Sequence, residues 1–169
     1  MTVYTDKIQK LIKTYIDDNH ILSYLPEGSL NVAIYYRVEA RSNDTDLDPS
    51  AQIYDSFVST HPLWKHIGTY RDVGGTDYEL YRMLQDCFSH RIDLVITPNV
   101  GHFTTDLERT VGLFTILEQR NIGIYFMEEH LYTLDSRNTV FLVFLSILAE
   151  EEISIKRRRS ASIKSPFHI

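Results

Sequence analysis

The spacing of apolar and polar positions at the start of the chain predicts an amphipathic helix. Within residues 5 to 19 the apolar side chains recur with the 3.6-residue period of a helix, at Ile8, Leu11, Ile12, Tyr15 and Ile16. The stretch "YLPEGSL" that follows contains helix-breaking residues. Residues 1 to 30 are therefore predicted to form an N-terminal helical extension and a linker, docked on the rest of the chain or on a partner.

Residues 31 to 135 alternate between strand and helix patterns. Apolar runs predict strands in "NVAIYYRV", "WKHIGTYRD", "IDLVIT" and "IGIYFM", and helical spacing predicts helices in "DPSAQIYDSFVSTHP", "TDYELYRMLQDCFSH" and "TDLERTVGLFTILEQRN". Thr105 and Glu108 have the spacing of a capping box at the start of the third of these helices. The repeated order predicts an α/β domain with a mainly parallel central sheet and helices on both faces. Functional side chains are expected beyond the carboxyl ends of the strands, in residues 38 to 49, 72 to 77 and 98 to 105.

Residues 136 to 169 predict a long C-terminal helix with two unlike parts. From Val140 to Leu145 the helix is apolar on every side, so it must be buried all round, yet it is too short to cross a bilayer. Contact with another protein chain is the simplest way to bury these apolar side chains, and we interpret this segment as a dimerisation helix. Its far end carries a cluster of basic residues: Lys156, Arg157, Arg158, Arg159 and Lys164.

Composition restricts the possible partners. The chain has 169 residues, of which 43% are hydrophobic and 24% charged, as expected for one globular domain. It has no secretory signal pattern and no membrane-spanning run, so a cytoplasmic protein is expected. The net charge of −6 argues against extensive nucleic-acid binding, and any contact with a polyanion is expected at the basic end of the last helix. Cys87 falls at a core position, and the histidines show no ligand spacing, so no metal and no cofactor are expected.

Several polar residues fall at predicted strand ends, but their spacing leaves the function open. Arg37 and Glu39 lie two positions apart at the end of the first strand, where an ion pair would be an ordinary structural feature. Asp72 at the end of the second strand has the position of a residue that caps the following turn. The pair Gly74 and Gly75 in "DVGGTDYE" is not followed by a lysine, so it indicates a turn rather than a phosphate-binding loop.

The order of the pieces resembles a known family. The strings "IYYRVE", "AQ", "YRDVGG", "YRMLQDCFSHRIDLVIT", "LEQRNIGIYFMEEHLYTLDS" and "FLVFLSILAEEE" together resemble the catalytic domain of resolvase and invertase type serine recombinases, from about residue 31 to 160. The resemblance implies an enzyme that cuts DNA with a serine. That serine attacks a phosphodiester and forms a phosphoserine link while arginines hold the phosphate, and no metal takes part.

The resemblance assigns site residues position by position. Tyr35 and Arg37 match the Tyr-x-Arg that precedes the family's nucleophile, and Glu39 then falls where the serine is expected. Gln52 and Asp72 match polar residues that the family places around its active site. Glu152 matches a polar residue at the start of the family's long dimer helix.

Other positions depart from the family pattern. After the third strand the family reads roughly Asp or Ser, Arg, Phe or Leu, any residue, Arg. The corresponding "GHFTT" keeps Phe103, but Gly101, His102 and Thr105 replace the Asp or Ser and the two arginines. A further arginine, expected before the second helix, corresponds to Asp77.

These replacements predict that DNA cleavage has been lost. Each fixed cation on a phosphoryl transition state is worth about a hundredfold to a thousandfold in rate. With Glu39 at the attacking position, we expect Arg37 to form a hydrogen bond with Glu39 instead of holding DNA.

The sequence thus indicates a serine-recombinase homologue that is inactive in cleavage and acts by dimerising with itself or with an active recombinase. Its contact with DNA is expected to be weak and to run through the C-terminal basic cluster. Two alternatives stay open. One is a working recombinase with a rearranged site. The other is an interaction module that binds no nucleic acid and uses the N-terminal helix and the apolar helix.

Overall fold

The central element of the fold is a mainly parallel β-sheet. The computed structural model describes residues 3–18, 25–39, 49–104, 107–135 and 139–163. Within these residues one sheet has the strand order β2-β1-β3-β4-β5. Its strands are β1 (Leu30–Val38), β2 (Trp64–Val73), β3 (Leu94–Thr97), β4 (Gly123–Phe126) and β5 (Leu131–Tyr132). The first four are parallel, as predicted, and β5 runs antiparallel to β4.

Helices cover both faces of this sheet. They are α1 (Val3–Asp18), α2 (Pro49–Ser59), α3 (Tyr78–Phe88), α4 (Leu107–Glu118) and α5 (Thr139–Ile163), with a 3₁₀ turn at Val100–His102. Five consecutive residues of β1, from 32 to 36, are buried because the strand is covered on two sides. Val32, Ile34 and Tyr36 pack with α2, whereas Ala33 and Tyr35 pack with the cluster to which α1, α3, α4 and α5 contribute. The predicted α/β architecture is confirmed.

The carboxyl ends of α3 and α4 are fixed by the same backbone motif. His90 and Asn121 adopt positive φ values of 56° and 57°, in the left-handed region. The amide of Asn121 donates to the carbonyl of Glu118 at 2.9 Å, and the amide of Ile122 donates to Leu117 at 2.9 Å. This pair of bonds is the Schellman arrangement, and it turns the chain from the helix directly into the next strand. Both helices therefore end earlier than the sequence pattern predicted. The expected capping box at the start of α4 includes Thr105, which lies outside the described residues.

The two terminal helices both contribute to the core. Ile12 of α1 is fully buried, so the N-terminal helix docks on the domain. In α5, Leu145 and Ala149 are buried against the same cluster, whereas Ile147 is 58% exposed. For the apolar segment that begins at Val140, the side chains before Leu145 lie outside what the structure describes, so its burial by a partner stays a prediction.

Two further expectations concern the core and the membrane. Cys87 is buried as predicted, and burial, with a smaller contribution from Asp86, raises the pKa of its thiol to about 12. Among the described residues, no helix is both long and apolar enough to span a bilayer.

Candidate active site

Asp72 is a buried carboxylate at the carboxyl end of β2, directly beside the end of β1. It is 2% exposed, and strand pairing places it opposite Arg37. The hydroxyl of Tyr35 donates to Asp72 Oδ2 at 2.9 Å. The backbone amides of Glu79 and Leu80 donate to Oδ1 and Oδ2 at 2.9 and 3.0 Å. Asp72 therefore closes the first turn of α3 from outside the helix and ties that turn to the sheet.

Tyr35 links this carboxylate to the aromatic core. Its ring meets Phe103 edge to face, with centroids 5.8 Å apart, and Phe103 in turn contacts Phe114 and Phe126. Burial raises the pKa of Tyr35 far above its usual range; Arg37 opposes this shift and the hydrogen bond to Asp72 adds to it. The phenol therefore stays protonated at neutral pH and donates to Asp72. Phe103, which matches the family pattern, has a packing role.

Arg37 is held by the loop that leads into α3, which corrects the expected pairing with Glu39. Nη1 donates to the carbonyl of Thr76 at 2.8 Å, and Nη2 donates to Asp77 Oδ1 at 2.5 Å. The cause is the turn after β2. Gly74 has a φ of 61°, and its amide donates to the carbonyl of Val38 at 2.8 Å. This turn folds the loop back over the end of β1, so Asp77 rather than the exposed Glu39 meets the guanidinium.

Asp77 contacts a second arginine that the sequence did not reveal. Arg109, from the first turn of α4, donates from Nη1 to Asp77 Oδ2 at 2.6 Å and from Nη2 to the hydroxyl of Tyr81 at 2.8 Å. Burial alone would raise the pKa of Asp77, but the hydrogen bonds from Arg109 and then Arg37 outweigh it and lower the pKa. The sequence gives one weak signal for Arg109. It follows shortly after the third-strand loop, and the family pattern has its arginines in that loop.

The lowered pKa of Asp77 predicts an acid-sensitive contribution to stability. A carboxyl group whose folded-state pKa lies below its ordinary 3.8 stabilises the fold above that value. This stabilisation is lost as the pH falls further, through the folded-state pKa. We expect Asp77→Asn to be less stable than wild type at neutral pH, and the difference should shrink between about pH 5 and pH 2. Urea unfolding of both proteins across this range measures it. A difference that stays constant with pH would contradict the ion pairing.

Of the remaining candidates, Gln52 lies away from this cluster, and the side chains of the others are outside the described part of the structure. Gln52 is exposed on α2, the helix that covers the opposite face of the sheet. His102 ends the 3₁₀ turn, and Glu152 lies within α5; only the backbone of each is described. Thr105 lies outside the described residues.

The basic cluster of α5 is described only in part. Lys156, Arg157, Arg158 and Arg159 are exposed on the last turns of the helix, and Lys164 falls outside the described residues. Among the described side chains, no three or more His, Cys, Asp or Glu residues are placed to hold a metal ion.

The family model for the resolvase N-terminal domain matches residues 32–165. The chain belongs to the resolvase family. No curated protein matches its sequence. The resolvase match confirms the resemblance drawn from the strand and helix order, and it leaves α1 outside the matched range.

Solved structures show the same resolvase fold at low identity. A resolvase family site-specific recombinase from Streptococcus pneumoniae has a TM-score of 0.67 at 18% identity, covering 82% of this chain and 100% of the other. The N-terminal catalytic domain of TP901-1 integrase has a TM-score of 0.61 at 21% identity, covering 74% and 98%. The C-terminal catalytic domain of ISC1926 TnpA, an IS607-like serine recombinase, has a TM-score of 0.51 at 12% identity, covering 70% and 97%. The chain therefore has the fold of a serine-recombinase catalytic domain.

Proposed function

We propose that this resolvase-type domain has lost DNA strand cleavage and acts by pairing with a second copy or with an active recombinase. The observation that carries the proposal is the contact between Arg37 and Asp77. The arginine that the resemblance assigns to the scissile phosphate donates instead to a carboxylate of the same chain, at 2.5 Å. A cation held in this way is not available to a phosphodiester unless Asp77 moves.

The residue at the nucleophile position supports the same conclusion. Glu39 follows β1 directly and is exposed. A carboxylate near a phosphate repels it by about 1 to 4 kcal/mol at a few Å in a surface-like dielectric, whereas a serine hydroxyl does not. An attack by the carboxylate would give an acyl phosphate, which hydrolyses readily and is a poor intermediate for rejoining DNA strands.

The balance of charge in the cluster also opposes phosphate binding. The carboxylate of Asp77 engages the guanidinium groups of both Arg37 and Arg109, and the second carboxylate, Asp72, lies opposite Arg37 in the strand pairing. Along the third-strand loop, residues 101 to 104 supply no arginine or lysine. Because phosphoryl transfer is accelerated chiefly by fixed positive donors, the pairing of both arginines with Asp77 supports the loss of cleavage.

An assay for a covalent intermediate tests the loss of cleavage. The purified protein is incubated with supercoiled DNA that carries its neighbouring genomic sequence, and the products are separated in SDS to detect protein linked to DNA. We expect neither nicking nor a covalent adduct, with a cleavage-competent serine recombinase on its own site as the positive control. Scission or an adduct that disappears in Arg37→Gln would overturn the proposal.

The same assay tests a second candidate, a working recombinase with a rearranged site. Arg109 favours this candidate, because it brings a guanidinium from α4 to the cluster that the family pattern did not predict. Asp77 argues against it, since one carboxylate engages both arginines. We rank the inactive domain first because Arg37 and Arg109 are already paired with Asp77.

The pairing role rests on α5. This helix runs over 25 residues, and Ile147 on it is 58% exposed, an apolar side chain suited to a helix from another chain. In the proposed role, any contact with DNA involves the exposed basic residues that begin at Lys156 and is directed at phosphates. Such binding is weak, independent of sequence, and reduced by salt.

A further inference from the structure

Asp77 lies between two arginines that come from different parts of the fold. Its Oδ1 accepts from Arg37 Nη2 at 2.5 Å, and its Oδ2 accepts from Arg109 Nη1 at 2.6 Å. One guanidinium on each oxygen of an anion is an arrangement in which proteins bind phosphate groups as well as carboxylates. We propose that Arg37 and Arg109 form a binding site for a phosphate group. In this proposal the carboxylate of Asp77 occupies the site and prevents a phosphate from binding.

The carboxylate of Asp77 has no competing role as a helix cap. Asp77 occupies the N-cap position of α3, where aspartate ordinarily accepts a hydrogen bond from the first-turn amides. Here its side chain makes no such bond. The amides of Glu79 and Leu80 are satisfied by Asp72 instead. Replacing the carboxylate of Asp77 therefore removes its contacts with the two arginines and leaves the start of the helix capped.

The two arginines also interact with groups other than Asp77, so we expect them to keep their positions when the Asp77 carboxylate is removed. The side chain of Arg37 is 9% exposed and is anchored on the carbonyl of Thr76. Its Nε is buried and, among the described residues, has no hydrogen-bond partner, which leaves it an unused donor. Arg109 donates to the hydroxyl of Tyr81 and lies over that ring, 5.5 Å from its centroid.

The site can be reached from solvent. The side chain of Asp77 is 18% exposed and that of Arg109 is 30% exposed. An oxyanion that displaces Asp77 would approach from this side and meet one cation that is nearly buried and one that is partly open. Burial of Arg37 strengthens its attraction for an anion, because water screens the interaction less there. The inference rests on the proposed function, since a site closed by Asp77 is one in which the family's phosphate contact is not made.

Neutralising Asp77 tests the inference, and the chain offers a matched control. Asp86 also lies at α3, accepts from a tyrosine, Tyr70, and from an arginine, Arg91, and its side chain is 22% exposed. Inorganic phosphate is titrated into wild type, Asp77→Asn and Asp86→Asn at constant ionic strength, with backbone amide NMR shifts as the readout. We expect Asp77→Asn to bind phosphate at least about tenfold more tightly than wild type, and Asp86→Asn to behave as wild type. The double variant Asp77→Asn with Arg109→Gln should lose the gain.

A second probe distinguishes the sources of the phosphate group. Fluorescence anisotropy with a short labelled duplex of arbitrary sequence measures binding to phosphodiesters. A gain in Asp77→Asn with duplex DNA assigns the site to the DNA backbone, and a gain with inorganic phosphate alone assigns it to small phosphates; either supports the inference. Equal binding by wild type and Asp77→Asn with both probes would overturn it, as would a gain that persists after Arg109→Gln. Asp77→Ser replaces Asp77→Asn if the latter does not fold.

The outcomes separate this inference from the proposed function. Strand scission by the wild-type protein would count against the loss of cleavage, whatever the phosphate titrations show. Unchanged phosphate binding in Asp77→Asn would count against the role of Asp77 as occupant and leave the loss of cleavage standing.

Discussion

A Glu39→Ser variant is expected to form no covalent link to DNA, even though the substitution places a hydroxyl at the position that the resemblance assigns to the nucleophile. The resemblance places His102 and Thr105 where the family has arginines, and each missing cation would cost about a hundredfold to a thousandfold in rate. Two such losses place the variant about 10⁴-fold or more below an intact recombinase, allowing for the non-additivity of such effects. Arg37 does not compensate, because Asp77 holds it.

The measurement is the yield of covalent protein–DNA adduct over time. Glu39→Ala serves as the variant without any nucleophile, and Glu39→Ser should match it. Adding His102→Arg and Thr105→Arg to Glu39→Ser should raise the yield, since it supplies the missing cations. An adduct from Glu39→Ser alone at a rate near that of an active relative would show that a hydroxyl was the only element missing, and the charge argument would be wrong.

Asp72→Ala is expected to destabilise the fold by about 3 to 5 kcal/mol. The carboxylate accepts three hydrogen bonds, from the hydroxyl of Tyr35 and from the amides of Glu79 and Leu80. Each buried donor that is left without an acceptor costs about 1 to 3 kcal/mol. Two of the three hydrogen bonds, those from the Tyr35 hydroxyl and from the Leu80 amide, are buried. Because the neighbouring donors are linked through one residue, their losses do not simply add.

Urea unfolding followed by circular dichroism measures the change in unfolding free energy. Asp55→Ala on the exposed surface of α2 is the control, and it should change stability by less than about 0.5 kcal/mol. The loss of unfolding free energy in Asp72→Asn should lie between those of Asp72→Ala and Asp55→Ala, because the amide oxygen can still accept a hydrogen bond. A loss below about 1 kcal/mol in Asp72→Ala would mean that water replaces the carboxylate and that the first turn of α3 is not anchored as described.

The sheet could be predicted from the sequence because its strands are either continuously apolar or bounded by clear turns. The same pattern missed β5, because two residues, Leu131 and Tyr132, are too few to show a period. It also extended α3 and α4 too far, since their ends depend on His90 and Asn121 in the left-handed region, a conformation usually signalled by glycine.

The candidate site could be predicted as a set of residues but not as a set of contacts. Tyr35, Arg37 and Asp72 lie at adjacent strand ends, as the parallel order requires. The partner of Arg37 was wrongly predicted because Glu39 is near in sequence, whereas Asp77 reaches the guanidinium only through the turn at Gly74. Arg109 is separated from Asp77 by 32 positions, and a local sequence pattern cannot predict a contact over that separation.

The capping of α3 by Asp72 also bears on how the domain folds. A helix that satisfies its own first amides can form as a local element, whereas α3 relies on a carboxylate from β2, and that carboxylate is held in turn by Tyr35 of β1. Nucleation of α3 is thereby coupled to the docking of two parallel strands, a long-range event that raises contact order and slows folding. Once formed, the two strands and the helix should open together as one cooperative unit.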